Sequence, residues 1–262
     1  MTTASHQANG SCRSSSPSIT IVIAALTDDD SLSTTLASCT SQRDVQLDVI
    51  VSLKDKGAPR IESRTEAGCT VTTIRRDDTG IANAWNHAID RVESDLVGFV
   101  GSGDRFVSEW SLSQLVAGSS DDGGPDLVLY GDQLILRPDG SLDPFPAPKK
   151  NHEHRALRGH MVIPHASSLW PTVVVKRLRF DETFRIAIDY EFALRARDAV
   201  RYRHVPVAVA VITTGGLSNR PGMLLKVVAE DARAKLKNGL TPASAFNVNA
   251  KRILRWMMSS LR

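Results

Sequence analysis

The sequence predicts an α/β fold, a Rossmann-like mixed sheet flanked by helices, and three observations carry that expectation. Two β-branched runs, residues 18–26 (S-I-T-I-V-I-A-A-L) and 47–53 (L-D-V-I-V-S-L), enclose Leu32, Leu36 and Cys39 at helical spacing. Strand, helix and strand within about 35 residues form a βαβ unit, with parallel pairing and a right-handed crossover. A second helix-then-strand unit follows in residues 78–106. Finally, 262 residues with 42% hydrophobic and 23% charged content suit one large globular domain.

Residues 1–17 hold almost no large apolar groups and read as a disordered tail ahead of a domain at 18–240. After the first strand, Thr27-Asp28-Asp29-Asp30-Ser31 offers capping groups to the helix that follows. Such an acidic run at a helix start more often satisfies free N–H groups and the dipole than binds metal. Residues 54–59 form a charged loop with Gly and Pro, 60–67 a short helix and 71–74 a short strand. Within 78–106, Ile81, Ala84, Trp85, Ala88, Ile89 and Val92 mark one helix face, and 96–100 is a buried strand. Gly101-Ser102-Gly103-Asp104 then turns the backbone and sets a carboxylate at the carboxyl edge of the sheet, where open α/β sheets bind ligands. Taken alone, this segment fits an ordinary helix-strand-turn with a capping Asp equally well.

Trp110, Leu112, Leu115 and Val116 predict a helix, which the Gly/Ser/Asp cluster at 118–125 ends. Residues 126–130 and 133–136 read as two strands, followed by a Pro138-Asp139-Gly140 turn. Residues 143–159, with three prolines and many basic groups, read as a long loop. An apolar stretch broken at Pro164-His165 and Trp170-Pro171 leads to a helix whose first turn carries Asp189 and Glu191. Residues 203–212 form the last strand, and 214–218 a corner before a final helical region.

A net charge of +3 without basic groups interleaved with aromatics argues against nucleic-acid binding. Cys12, Cys39 and Cys69 are odd in number and lack C-x-x-C spacing, which suits a reducing compartment and neither zinc nor a disulfide framework. No apolar run approaches the ~18 residues of a spanning helix, and the N-terminus lacks a signal-peptide core. A cytoplasmic protein is the default. Residues 241–262 form a basic amphipathic segment. Its end, K-R-I-L-R-W-M-M-S-S-L-R at 251–262, is read as a terminal helix packed on the domain or as a peripheral contact with the inner face of an anionic membrane.

Five blocks in one order resemble the family 2 glycosyltransferases, especially bacterial members that build exopolysaccharide or colanic-acid-like glycans. They are the strand ending at Ala25; Asp78-Thr79-Gly80-Ile81-Ala82-Asn83-Ala84-Trp85-Asn86; Gly101 to Phe106; Pro164-His165 with the 180–191 block (F-D-E-T-F-R-I-A-I-D-Y-E); and Gly215-Gly216-Leu217-Ser218. The resemblance covers about residues 18–235. It implies a GT-A fold and an inverting transfer from a nucleotide-diphosphate sugar, a UDP-sugar by family habit, to a glycan or lipid-linked acceptor.

The resemblance also gives roles to residues. Asp104 holds a divalent metal, Mg²⁺ or Mn²⁺, which with its waters suits an oxygen-rich site of few ligands. Asp78, Gly80, Asn83, Asn86, Ser102 and the turn after Ala25 position the nucleotide and sugar. Asp189 is the base that takes the acceptor proton, kept ionised by the helix dipole, with Glu191 the alternate. His165 is placed on phosphate or acceptor and Trp170 as a sugar-stacking face, with core packing the equal alternative for both. The chain departs from the family pattern in places. Leu53 and Lys54 stand where acids often hold the nucleotide base, with Asp55 close enough to substitute. Gly101 and Gly103 leave Asp104 as the corner's single acid. That reduction motivates the alternative of a non-catalytic nucleotide-sugar-binding or scaffold protein.

Overall fold

The computed structural model describes residues 16–54, 63–66, 68–77, 80–118, 124–145, 148, 151–214 and 222–243. Among the described residues ten strands make one mixed sheet. In its first half, β1 (Ile19–Ala25) lies in parallel between β2 (Leu47–Leu53) and β5 (Leu96–Gly101). β4 (Cys69–Arg75) adds in parallel outside β2, and β3 (Arg64–Glu66) closes that edge antiparallel.

The second half reverses direction once and returns. β9 (Ser168–Pro171) is antiparallel both to β5 and to β7 (Leu127–Leu136), and β7 is parallel to β10 (Arg201–Thr213). β7 and β10 therefore run in the sense of β5, so their carboxyl ends share its edge. β6 (Arg105–Phe106) pairs with β10, and β8 (Leu142–Pro144) with β7.

Side chains alternate across the strands with period two. Ile19, Ile21 and Ile23 enter a core shared with α1 (Asp30–Thr40) and α3 (Ser111–Ala117). Val22 enters the opposite core, beneath α2 (Ile81–Ile89), α5 (Thr172–Leu178) and α6 (Ile188–Ala196). α4 (Glu153–Leu157) and α7 (Leu224–Lys237) contribute Leu157 and Ala234 to that second core. Asp29 caps α1, accepting the N–H groups of Ser31 and Leu32 at 3.0 and 3.1 Å, as the acidic run implied.

Three local expectations change. Of the helix expected at 60–67, residues 64–66 are a strand. Gly68, at φ 83°, turns the chain so that Arg64 pairs with Val71 and Glu66 with Cys69. The two strands expected at 126–136 are one, running through Gly131, where the backbone and Val209 side chain of bulged β10 press too close for a Cβ. The loop expected at 143–159 contains the end of β8 and all of α4, because Leu157 and Glu153 find buried places. Cys39 and Cys69 are buried, and among the described residues neither forms a disulfide. Among the described residues no helix is long and apolar enough to cross a membrane. Most of the N-terminal tail, Asp55, Asp78, the block from Gly215 to Ser218 and the basic segment at 251–262 lie outside the described residues.

Candidate active site

The corner after β5 is fixed by three elements. The Asp104 N–H donates to the Gly101 carbonyl at 3.1 Å, closing the turn, and Gly103 sits at φ 94°, where side chains of L-residues are strained. From α1, the Thr35 hydroxyl accepts the Gly103 N–H at 2.9 Å and donates to the Asp104 carbonyl at 2.7 Å. From the end of β10, the Thr213 N–H donates to Asp104 Oδ1 at 3.0 Å. Burial nevertheless outweighs these contacts and pushes the Asp104 carboxyl up to about 6. A Cβ at Gly101 would lie 2.8 Å from Asp104 Oδ2, so the missing acids reflect space as well as sequence. Ser102 is exposed at the tip of the turn. Ala25 ends the neighbouring strand with its methyl group in the core and its carbonyl accepting the Lys54 N–H at 3.1 Å.

The segment 180–191 forms the second part. Phe180 and Phe184 are buried and anchor it, while Glu182 reaches across to α2. Asn83 Nδ2 donates to Glu182 at 2.9 Å, and Asn86 Nδ2 to the same carboxylate at 2.8 Å. Asn86 also bonds both the N–H and the carbonyl of Phe180, each at 2.9 Å. Buried, with both amide hydrogens donated and Oδ1 accepting from Phe180, Asn86 is a brace of the fold. Asn83 shares the brace, though its Oδ1 is left without a protein partner. At the head of α2, Gly80 adopts φ 115°, and the Arg185 guanidinium lies against it. The contact joins the head of α2 to the segment that leads into α6.

Asp189 stands in the first turn of α6 and its Oδ1 accepts the Tyr190 N–H at 2.8 Å. The helix dipole was expected to keep it ionised at neutral pH. Desolvation raises the carboxyl to about 6, which leaves it largely ionised there but basic enough to receive a proton. Glu191 is different. It is fully buried, accepts from Arg195 Nε and Nη2 at 3.0 and 2.8 Å and from Lys237 Nζ at 3.0 Å, and these cations hold it below the usual range despite its burial. That is a structural ion cluster, and it takes Glu191 out of the role of alternate base.

Two more candidates lie in the core or against it. The His165 ring stacks on Phe99 at 5.3 Å and 11° and lies 4.8 Å from Trp85, and burial drives its pKa down to about 4. A neutral ring in that setting is a poor phosphate contact. Trp170 is 1% exposed, donates to Ser168 Oγ at 3.0 Å and meets Phe192 edge-on, so it offers no face to a sugar.

Comparison with solved structures decides the architecture. Residues 1–349 of TarS from S. aureus, in complex with UDP-GlcNAc, superpose with a TM-score of 0.58 at 16% identity, over 89% of this chain and 71% of that TarS fragment. The mannosyltransferase PcManGT from Pyrobaculum calidifontis, bound to GDP-Man and Mn²⁺, gives 0.58 at 14% identity over 90% and 69%. The chain has the GT-A glycosyltransferase fold. In sequence it is similar to the uncharacterized glycosyltransferase Rv1514c of Mycobacterium tuberculosis, 29% identical over 189 residues that span 70% of each chain. No family model matches it.

Within this GT-A fold, among the described residues, no group of three His, Cys, Asp or Glu side chains converges as a metal cage. Asp104 would be the one carboxylate ligand of a divalent cation here, and water and phosphate oxygens would have to supply the rest, as Mg²⁺ allows. Its raised pKa has the same origin, a carboxylate in a desolvated corner where burial outweighs its hydrogen bonds. The residues that escaped the sequence are Thr35 and Thr213, which position the Asp104 corner, and Lys237, which completes the Glu191 cluster. Each acts across more than 40 positions of the chain, so no local spacing announces it.

Proposed function

We propose that this chain is an inverting family 2 type glycosyltransferase, moving a hexose from a nucleotide-diphosphate sugar, most simply a UDP-sugar, to a hydroxyl of a glycan or lipid-linked acceptor. What supports this reading is the GT-A fold, with Asp104 fixed at the corner after β5 and Asp189 in the first turn of α6, both carboxyls raised to about 6 by burial. Asp104 would hold the cation. Bound there, a divalent metal neutralises charge on the departing diphosphate. Asp189 accepts the acceptor hydroxyl proton as the oxygen attacks the anomeric carbon from the face opposite the diphosphate. Thr35 and Thr213 keep the Asp104 corner from shifting as charge develops.

The test is a melting-temperature screen with UDP-GlcNAc, other UDP-sugars and GDP-Man, with and without Mn²⁺, followed by transfer and donor-hydrolysis assays. Asp104→Ala and Asp189→Ala should each lose turnover, and undiminished hydrolysis in both removes the assignment. The single-acid corner favours one other reading, a nucleotide-sugar-binding protein without catalysis. Calorimetric donor binding independent of metal, with no transfer to any acceptor, would establish that reading instead.

A further inference from the structure

A cavity that the proposed reaction does not use lies at the edge of the sheet opposite Asp104. Its volume is about 520 Å³, within the range of small-molecule sites, and it forms where α1 ends and β2 and β4 begin. Asp104 follows the end of β5, and β5, β1, β2 and β4 run parallel, so the starts of β2 and β4 mark the far edge. The walls are fixed by the fold itself. Gln42 donates to the carbonyls of Ser38 and Ser108 at 3.1 and 2.7 Å and accepts the Leu112 N–H at 3.0 Å, tying α1 to the head of α3. The Arg43 N–H donates to the Glu109 carbonyl at 2.7 Å, and its Nε to the Glu109 carboxylate at 2.6 Å.

Two of the lining residues break local preferences. Trp110 occupies the N-cap of α3, where Ser, Thr, Asp or Asn would satisfy a free N–H, and it is 38% exposed. Asp44 takes φ 56°, a left-handed conformation that few residues other than Gly, Asn and Asp adopt. The Arg43 guanidinium stands 5.9 Å from the centre of the Trp110 ring, which holds the indole beside the ion pair. The chemistry of the described lining narrows the ligand. Arg43 is its one cation and is paired with Glu109, while Asp44 adds a second carboxylate, so no surplus positive charge remains for a phosphate or a nucleotide. Polar groups interrupt the apolar ones, which a lipid would not tolerate. A neutral polyhydroxylated molecule meets both conditions. A sugar ring can lay its C–H face on the indole while its rim hydroxyls donate to Asp44 and Glu109 and accept from Arg43.

We propose that this cavity is a second saccharide site, which holds a neutral stretch of the glycan whose end reacts at the carboxyl edge. Its position suits that task. α1 runs from the carboxyl edge, past the Asp104 corner at Thr35, to the cavity at Thr40, and its 11 residues span about 16 Å. A glycan held at both places gains from tethering, since binding at one raises its effective concentration at the other. The glycan as the source of the saccharide rests on the proposed acceptor class, whereas the choice of a neutral saccharide rests on the cavity alone.

The experiment follows the indole N–H resonances of the full-length protein by ¹⁵N NMR, with the Trp110 signal assigned through Trp110→Phe. Cellopentaose, maltopentaose, mannopentaose and chitopentaose are titrated in turn. At least one should move the Trp110 signal saturably, with a Kd of about 1 mM or tighter, and leave the signals of the buried Trp85 and Trp170 in place. By calorimetry, Trp110→Ala should weaken that binding about tenfold or more. Should Trp110→Ala fold poorly, Asp44→Asn keeps a residue that tolerates φ 56° and should weaken the same binding at an unchanged melting temperature. Asp104→Asn should bind the sugar as tightly as the wild type, because the cavity lies at the other edge. The proposal is overturned if none of the four sugars gives a saturable shift, or if Asp104→Asn abolishes the binding. It is likewise overturned if the Trp110 signal answers to UDP or to protein concentration and to no sugar. The acceptor reading fails separately, when a pentasaccharide that binds at Trp110 receives no sugar from any donor.

Discussion

Thr35 and Asp104 are joined across the sheet edge: the Thr35 hydroxyl donates to the Asp104 carbonyl at 2.7 Å while accepting the Gly103 N–H at 2.9 Å. One buried side chain of α1 thus fixes both sides of the turn that presents the carboxylate. Thr35→Val keeps the shape and removes both bonds, leaving the Gly103 N–H without that acceptor. The expected loss is about 2–3 kcal/mol of stability in urea unfolding. The Mn²⁺-dependent gain in melting temperature should shrink with it, and Thr35→Ser should restore most of both. A valine variant with unchanged stability and metal response would show the hydroxyl to be dispensable.

The two raised carboxyls make a prediction with a definite sign. Burial lifts Asp104 and Asp189 from 3.8 to about 6. Between those values the folded protein keeps protons that the unfolded chain has lost. Their contribution to stability is therefore full below about pH 4 and declines as pH rises through about 6. Asp104→Asn and Asp189→Asn should each stabilise the ligand-free protein at pH 7.5. The gain is about 1–2 kcal/mol, after discounting for the partial exposure of both groups. That gain should narrow toward pH 4, and both variants should be inactive. Denaturant melts across this range check it, and a destabilised Asn variant at pH 7.5 contradicts the burial argument.

Much of the scaffold was legible because its signals are local. The β-branched run of β1, the 47–53 strand and the three-and-four spacing of Ala84, Trp85, Ala88 and Ile89 each reflect burial periodicity within one element. The order of the motifs likewise pointed to the GT-A fold. Of the candidate site, the sequence showed where Asp104 and Asp189 fall, after β5 and in the first turn of α6, but not what surrounds them. Asn86 and His165 look like ligand contacts in a motif, yet one is consumed by Phe180 and Glu182 and the other is stacked on Phe99. Glu191 sits two residues from Asp189, and only the distant Lys237 and the helical neighbour Arg195 reveal its different job. Tertiary partners decided these roles, and partners that far apart leave no pattern in the sequence.

The glycines of the corner offer a test of whether its reduced acidity is reversible. Gly101→Asp restores an acid but places a Cβ where only 2.8 Å separates it from Asp104 Oδ2, so Asp104 must move or the new carboxylate must repel it. Gly103→Ala forces a side chain into φ 94° at a cost of about 1–2 kcal/mol. Neither change should improve metal affinity measured by Mn²⁺ titration, and Gly101→Asp should weaken it. Tighter Mn²⁺ binding in Gly101→Asp would mean that the corner has room for a second ligand after all.

Asn86 provides the sharpest separation of brace from ligand contact. Its Nδ2 donates to the Phe180 carbonyl and Glu182, while its Oδ1 accepts from the Phe180 N–H, all within the protein. Asn86→Asp preserves the acceptor for Phe180 but deletes both donated bonds and sets a carboxylate against Glu182. Two carboxyl groups at hydrogen-bond distance cannot both ionise cheaply, so one of them should retain a proton well above its ordinary range. The variant should lose about 2–4 kcal/mol at pH 7.5 and recover part of it as pH falls toward 5. Asn86→Ala should show a loss of similar size with no such recovery. Where either variant is folded, its nucleotide-sugar affinity should match the wild type. A selective loss of donor affinity at unchanged stability would return Asn86 to the binding site.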